Sequence, residues 1–463
     1  MSHRNLSDHS SFQKMTKTEM RVTLLLASIY ALRMFGLFMI LPVFSLYAEK
    51  MDNITPFLIG LAISIYGLTQ ALFQIPFGLL SDKFGRKPLL LIGLSLFIVG
   101  SVVAATADSI MGIIIGRAIQ GSGAIAAVVM AMAADLTREE HRTKVMAMIG
   151  MSIGLSFMLA MVFGPLLKVA VGVQGMFWLT AIFSIIAILL VVVFLPKPIK
   201  SRQHRDAQPV VSQFKGVLTN PDLIRLDAGV FLLHLILTAG FVVIPLVLYH
   251  SAGIAEQHHG WFYFAVLLVS VIIMVPFIII AERHKKMKLV FLGAIAFIGI
   301  AQVSLAMTYQ WFWGMLCSMI IFFSAFNLLE ATLPSIISKL APADSKGTAM
   351  GVYSTSQFLG AFLGGSLGGW LYGQYGYESI FIFCAGCALI WFMVAFGMSP
   401  PGNYSSHVVM VGPLDKNKTE SMMDDLMSIH GVKEVVLVAE DGVAYLKVNK
   451  KELDYDALAE IAQ

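Results

Sequence analysis

Between residues 21 and 398 one constraint recurs twelve times: a stretch of about twenty mostly apolar residues, enough to cross the hydrocarbon of a bilayer as a helix. The stretches are 21–48, 57–81, 88–106, 110–135, 143–167, 174–196, 223–249, 260–281, 288–308, 311–338, 347–372 and 378–398. Lipid offers no partner for a bare backbone amide, so each is expected to be helical and the chain an all-α membrane protein. Composition agrees: 57% of the 463 residues are hydrophobic and 13% charged, against about a quarter charged in a soluble domain. Pro42, Pro76, Pro245, Pro276 and Pro334 fall inside the stretches and mark bends.

The charges lie between the stretches, and unevenly. Connections after even-numbered stretches carry Lys83, Arg86 and Lys87, then Arg138, Arg142 and Lys144, then Lys197, Lys200, Arg202 and Arg205, then Arg283, Lys285, Lys286 and Lys288. Those after odd-numbered stretches hold little beyond Lys50 and Lys168. The positive-inside rule then places both termini in the cytoplasm. The first stretch is too long for a signal peptide and is read as a retained span. The basic connection 197–222 splits the spans six and six, and "FKGVLTNPDLIR" within it reads as a short interfacial helix.

The two sixes resemble each other. At an offset of 200, "QIPFGLLSDKFGRKPLLLIG" lies over "MVPFIIIAERHKKMKLVFLG", so that Pro76 meets Pro276, Asp82 meets Glu282 and Arg86 meets Lys286. At an offset of 204, "LTREEHRTKVM" lies over "LAPADSKGTAM". A half used twice in parallel suits alternating access, one half rocking against the other.

Polar groups inside the stretches are few. Arg33, Arg117, His234 and Glu330 stand at depth, and Asn327 lies one turn before Glu330. Ionisable groups there are costly and by default functional. A carboxylate and an imidazole can take up and release a proton, while an arginine lowers the proton affinity of an acid facing it. The simpler alternative for each is a structural contact, with Arg33 pairing either with backbone carbonyls or with Glu330. Asp227, nearer the end of its span, reads as snorkelling. Tyr66, Gln70 and Gln74 repeat at i, i+4 and i+8, and Gln357 answers them on span eleven. Such a stripe reads as the wall of a water-filled cavity or as glue between helices. Met146, Met148, Met151, Met158 and Met161 of span five suit either a loosely specified hydrophobic substrate or plain packing. Cys384 and Cys387 are spaced CxxC but have no polar activator, and read as packing.

After Pro400-Pro401 the composition turns polar. "SHVVMVGPL" reads as a strand and 417–430 as an amphipathic helix with Met423, Leu426 and Met427 apolar. "KEVVLVAEDGVAYLKVN" reads as a hairpin turning at Asp441-Gly442, and 454–461 as a last helix. The order βαββα resembles a ferredoxin-like domain. Its metal-carrying relatives use a CxxC after the first strand, which "VGPLDKNKTESMM" lacks, so no metal is expected. At about 60 residues it is marginal alone, and leans on the membrane part or self-associates.

"GLLSDKFGRK", residues 78–87, resembles the signature between the second and third spans of the major facilitator superfamily. "RAIQGSGA", Arg117 to Ala124, resembles the fourth-span signature of its proton-coupled members. Gly150, Gly154, Gly164 and Pro165 form a partial version of the antiporter motif on span five. The resemblance covers roughly residues 20–398. It implies two six-helix bundles, 21–196 and 223–398, after a cytoplasmic tail 1–20 and joined by the linker 197–222. The linker 399–402 then leads to a cytoplasmic ferredoxin-like domain, 403–463.

The resemblance also implies a proton-driven exporter of small amphipathic compounds (drug/proton antiport) in the bacterial inner membrane, with the small domain regulatory. It implies a conformational latch of Gly78, Asp82, Gly85, Arg86, Lys87 and Asp135. In it the Asp82 carboxylate faces the start of span eleven near Gly347, and Arg86 joins Asp82 to Asp135. The simpler role of the basic residues is to anchor the turn. Arg117, Glu330, Arg33 and His234 are the expected proton-coupling residues; Tyr66, Gln70, Gln74, Gln120, Asn327 and Gln357 are the expected cavity wall. The sequence holds no phosphate-binding loop, nucleophile or metal constellation, so no enzyme, cofactor or ATP-driven pump is expected. A net charge of +4 is too small for nucleic acid. The expected partners are a small-molecule substrate, protons and the bilayer. Two other readings stay open: a metabolite importer, separated by the direction of flux in vesicles, and a membrane sensor, which transport surviving removal of residues 400–463 would exclude.

Overall fold

The computed structural model describes residues 15–196, 210–283, 286–342, 345–398, 405–411, 416–438, 442–449, 452–454 and 457–458. Helix α1 (Lys17–Phe38) begins with a capping box, Thr16 and Glu19 each accepting the other's backbone amide. Pro42 ends it in a turn before the short α2 (Phe44–Ala48), so the proline breaks span one rather than bending it. Thr55 caps α3 (Pro56–Phe84), with a proline at the first helical position where its missing N–H costs nothing. Gly85 follows at φ +94, a left-handed conformation that glycine alone adopts freely, and α4 (Arg86–Ala105) departs at once. Span four is α5 (Ile110–Ser122) and α6 (Ala126–Leu136), interrupted at 123–125. The 56-residue α7 (Glu139–Phe194) holds spans five and six, divided at Gly172 by φ +70 and ψ 173.

The expected short helix of the linker is α8 (Phe214–Thr219), and Asn220 caps α9 (Pro221–His250). There follow α10 (His259–Arg283), α11 (Met287–Thr308), α12 (Phe312–Leu340), α13 (Lys346–Tyr375) and α14 (Tyr377–Phe396). Ten described helical runs are long and apolar enough to cross a membrane. Dividing one of them at Gly172 and adding the glycine-rich α13 completes twelve spans. The repeat is visible here: Pro76 and Pro276 both sit near the end of the second helix of their half.

The halves meet mainly through α13, which packs along both α3 and α9. Gly60 and Gly365 touch backbone to backbone; a Cβ at Gly365 would fall 2.8 Å from the Gly60 carbonyl oxygen. Small residues at such crossings let helices gain dispersion contact where lipid supplies no hydrophobic drive. Buried apolar residues form two main clusters in the membrane part. One joins both halves through Phe44, Phe157, Phe177, Phe241 and Phe323. The other, with Leu26, Leu90, Phe97, Val129 and Val191, belongs to the first half, with Phe358 alone reaching it from the second. The halves are therefore fused toward one face. They are less joined toward the other, which bears Lys83, Lys87 and Arg138 and is called here the basic face.

On the basic face lies the small domain, with an antiparallel sheet in the order β1-β3-β2: β1 (Ser405–Met410), β2 (Val432–Val438) and β3 (Val443–Val448), with α15 (Lys416–Ser428) between β1 and β2. The hairpin turns where expected, with Gly442 at φ +65. Leu426 is in the domain core, but Met423 and Met427 are exposed, so the three expected apolar positions of α15 do not share a buried face. Lys447 Nζ donates to the carbonyls of Leu340 (3.3 Å) and Ala341 (3.4 Å), tying the sheet to the end of α12. The tail 1–14, residues 197–209 and most of the helix expected at 454–461 lie outside the described residues.

Candidate functional site

At the turn between α3 and α4 the guanidinium of Arg86 is fully buried. It pairs with Asp82, donates from Nε to Asp135 Oδ2 (3.0 Å) and from Nη1 to Ser81 Oγ (2.6 Å). Ser81 in turn donates to the Gly78 carbonyl (2.6 Å). The expected Asp82–Arg86–Asp135 group is thus assembled, with Gly85 supplying the reversal. Lys87 is not part of it. Its ammonium donates to the Val192 and Leu195 carbonyls (3.2 and 2.9 Å), capping the end of α7 inside the same half.

The four residues expected to couple protons fall into two groups. Arg33 is 0% exposed; its Nη2 donates to Gln70 Oε1 (3.0 Å) and to the Gly123 carbonyl (2.8 Å), and its guanidinium lies 5.0 Å from the Phe97 ring centroid. Of the two partners left open by the sequence, the backbone carbonyl is the one observed; Glu330 is in the other half. Arg117 donates to the carbonyls of Ala62 and Ile63 and to Gln120, and stands 5.4 Å from the Tyr66 ring. Neither arginine has a carboxylate in ion-pair reach among the described residues. Both charges are carried instead by carbonyl dipoles, amides and aromatic faces.

That requirement corrects the expected cavity wall. Tyr66, Gln70, Gln74 and Gln120 are all buried inside the first half. Tyr66 donates to Gln70, Gln70 to Gln74 (2.9 Å) and Gln120 to Ser101 (2.8 Å). The stripe solvates buried arginines rather than lining an open cavity in this conformation.

The second half holds the other group. Gln357 on α13 places its amide nitrogen 2.8 Å from His234 Nε2 and 3.4 Å from Glu330 Oε1; His234 Nε2 is 3.7 Å from Glu330 Oε2. His234 Nδ1 lies 3.1 Å from the Val230 carbonyl, which can only accept, so Nδ1 carries the proton and Nε2 accepts from Gln357. At 1.5 Å per residue the three lie about 15–20 Å from the basic-face ends of α9, α12 and α13, one layer at mid-depth. The Glu330 side chain is 39% exposed, so the layer is not sealed within the second half. Around it stand polar atoms without a hydrogen-bond partner among the described residues: Glu330 Oε2, Asn327 Nδ2, the Tyr353 hydroxyl, and Asp227 Oδ1 two turns along α9 from His234. Water or a ligand would satisfy them. Asp227 is buried, not snorkelling; its missed signal was the seven-residue spacing to His234, which keeps both on one helix face.

The opposite face shows residues that the sequence reading passed over. Glu256, before α10, pairs with Lys168 of α7 and with Lys50 after α2 (3.4 Å), and His250 Nε2 lies 3.1 Å from Glu49. Each contact joins one half to the other. Phe157 beneath them packs on Phe241, Phe323 and Phe326 at 6.2–6.4 Å. Lys50 and Lys168 were the exceptions to the charge asymmetry of the loops, and that was the readable signal.

Twelve spans in two repeated halves, the assembled acid-arginine turn and the buried span-four arginine together match a known pattern, and comparison with known proteins agrees. The sequence profile of the Major Facilitator Superfamily matches residues 26–365 and 226–408. The chain belongs to the Major Facilitator Superfamily. It is 46% identical over 438 residues to the "Inner membrane transport protein YajR" of Escherichia coli K12, covering 95% of this chain and 96% of that one. Over 154 residues it is 32% identical to the "Multidrug resistance protein MdtL" of Shigella dysenteriae, covering 33% of this chain and 38% of that protein. Among solved structures, a D-xylose-proton symporter superposes with a TM-score of 0.66 at 16% identity over 83% of this chain and 98% of that one, a likeness of fold alone. Proteins of the Major Facilitator Superfamily carry out secondary transport, not catalysis, and this chain is a multi-pass membrane transporter of that kind.

Proposed function

We propose that the chain is a proton-driven exporter of small amphipathic compounds in the bacterial inner membrane, with the basic face cytoplasmic. The triangle of Glu330, Gln357 and His234 carries this reading. A carboxylate and a neutral imidazole share one amide at mid-depth, in a layer not sealed within the second half. A proton on Nε2 turns that atom from acceptor to donor: it repels the Gln357 amide and is drawn to Glu330 Oε2, 3.7 Å away. Protonation therefore changes which residues of α9, α12 and α13 hold one another. Because α13 is also the main contact with α3, this exchange reaches the seam between the halves.

The charge loop on the opposite face and the aromatic cluster beneath it support an inward-facing conformation, closed outside and open to the cytoplasm. Here the His234–Glu330 pair releases the shared proton inward while the cavity takes up substrate. Closing the cytoplasmic side brings in the latch: α3 and α13 run antiparallel with Gly60 beside Gly365 and Gly67 beside Phe358. Continuing that register brings Asp82 level with the first turn of α13, where a carboxylate is stabilised by about 0.3–2 kcal/mol. The inner-membrane reading draws on the name of the Escherichia coli relative, and the export reading is supported by the partial likeness to MdtL, a multidrug resistance protein by name. The Lys447 contact with the end of α12 supports a regulatory role for the small domain. The test is the direction of ethidium movement across the membrane of energised inverted vesicles, in which an exporter fills the lumen. Dye accumulation that depends on the proton gradient supports export, and gradient-driven movement the other way overturns it.

A further inference from the structure

The inner-leaflet end of α1 carries a groove apart from the sites described above. It is an open groove of about 600 Å³ between α1 and the last turns of α7. Lys17 and Arg21 stand at its mouth; Met20, Leu24, Leu25 and Leu190 make its walls. Charge is sorted across the helix. The one acid of this turn, Glu19, is buried and held inward by Arg138 Nε at 3.0 Å. Lys17 and Arg21, one turn apart and exposed, have no carboxylate partner among the described residues. The Arg21 guanidinium lies 6.0 Å from the ring centroid of Phe194, one turn beyond Leu190 on α7. Below them the exposed line on α1 turns apolar at Leu24. Two cations at headgroup level above an apolar channel between helices form a surface complementary to one kind of molecule, an anionic lipid.

We propose that this groove binds an anionic phospholipid of the cytoplasmic leaflet, its phosphate between Lys17 and Arg21 and one acyl chain along Leu24, Leu25 and Leu190. The site ties α1 to the end of span six, so its occupant braces the first half independently of the coupling chemistry.

The test is native mass spectrometry of the purified full chain released from mixed micelles of phosphatidylglycerol and phosphatidylcholine. The wild-type chain is expected to retain phosphatidylglycerol selectively. Lys17→Gln with Arg21→Gln is expected to lower that retention about thirty-fold, the equivalent of about 1 kcal/mol for each cation. Leu24→Trp, which fills the channel and keeps both charges, is expected to lower it as well. Melting temperature in phosphatidylcholine alone, unchanged in all variants, shows that they fold. Equal retention of the two lipids by the wild-type chain, or undiminished phosphatidylglycerol on the double variant or on Leu24→Trp, overturns the site.

Discussion

Removing the charge of Glu256 tests whether the opposite face is held by its ion pairs. Glu256 is 24% exposed and pairs with Lys168, 14% exposed, and with Lys50, 66% exposed. Exposed pairs contribute about 0.2–1 kcal/mol each, the better buried Lys168 pair nearer the top of that range. Glu256→Gln therefore weakens the closure of the opposite face by about 1–1.5 kcal/mol, which at 1.4 kcal/mol per tenfold moves the ratio of molecules closed at that face to molecules open there by roughly tenfold. Nothing on the basic face is altered, so the whole shift belongs to the seam. The assay is the distance distribution between two spin labels, attached through Lys144→Cys and Lys286→Cys in a chain whose own three cysteines are replaced by serine. Both positions are exposed on the basic face, one in each half. The short-distance population should grow about tenfold relative to the long one, and Lys168→Gln should reproduce most of it. Distributions unchanged in both variants would refute the claim that these pairs hold the face closed.

Three further outcomes follow from contacts within the first half, between the halves and with the small domain. Arg86→Gln withdraws the guanidinium from the buried Asp135 and should cost about 3–5 kcal/mol, read as a lower melting temperature in detergent; adding Asp135→Asn should restore much of the loss. Gly365→Val puts a side chain where a Cβ already lies 2.8 Å from the Gly60 carbonyl, and should destabilise the α3–α13 crossing by about 1–3 kcal/mol or more, read by the same melt. Lys447→Met removes both bonds to the end of α12, and should speed limited proteolysis between residues 398 and 405 without slowing ethidium transport more than severalfold.

The membrane fold was legible because lipid leaves a backbone segment no alternative to a helix; apolar length alone therefore counted the spans. The turn at 78–88 was legible as well, since Gly85 and four charges within a few residues have few other uses. The cavity wall was not. Spacing at i, i+4 and i+8 says that Tyr66, Gln70 and Gln74 share a face, but not that α1 would bury Arg33 against that face and consume it. Gln357 has the same residue type and a freer neighbourhood, and it alone of these glutamines reached the Glu330 layer. The charge loop on the face opposite the basic one was hidden for another reason: Glu256 is a lone acid in a short connection, and its meaning depends on Lys50 and Lys168, which are 206 and 88 residues away in the chain. Asp227 looked peripheral by depth, whereas the close parallel packing of α9 and α13 covers it.

The central claim is that the mid-depth triangle takes up the coupling proton. Its most direct test is proton flux in pyranine-loaded proteoliposomes when ethidium is applied as an opposing gradient, compared between the native chain and Glu330→Gln. The account predicts that the native chain moves protons against the dye and that the variant moves dye down its gradient with no accompanying proton flux. Proton flux retained by Glu330→Gln at the native ratio to dye would contradict it.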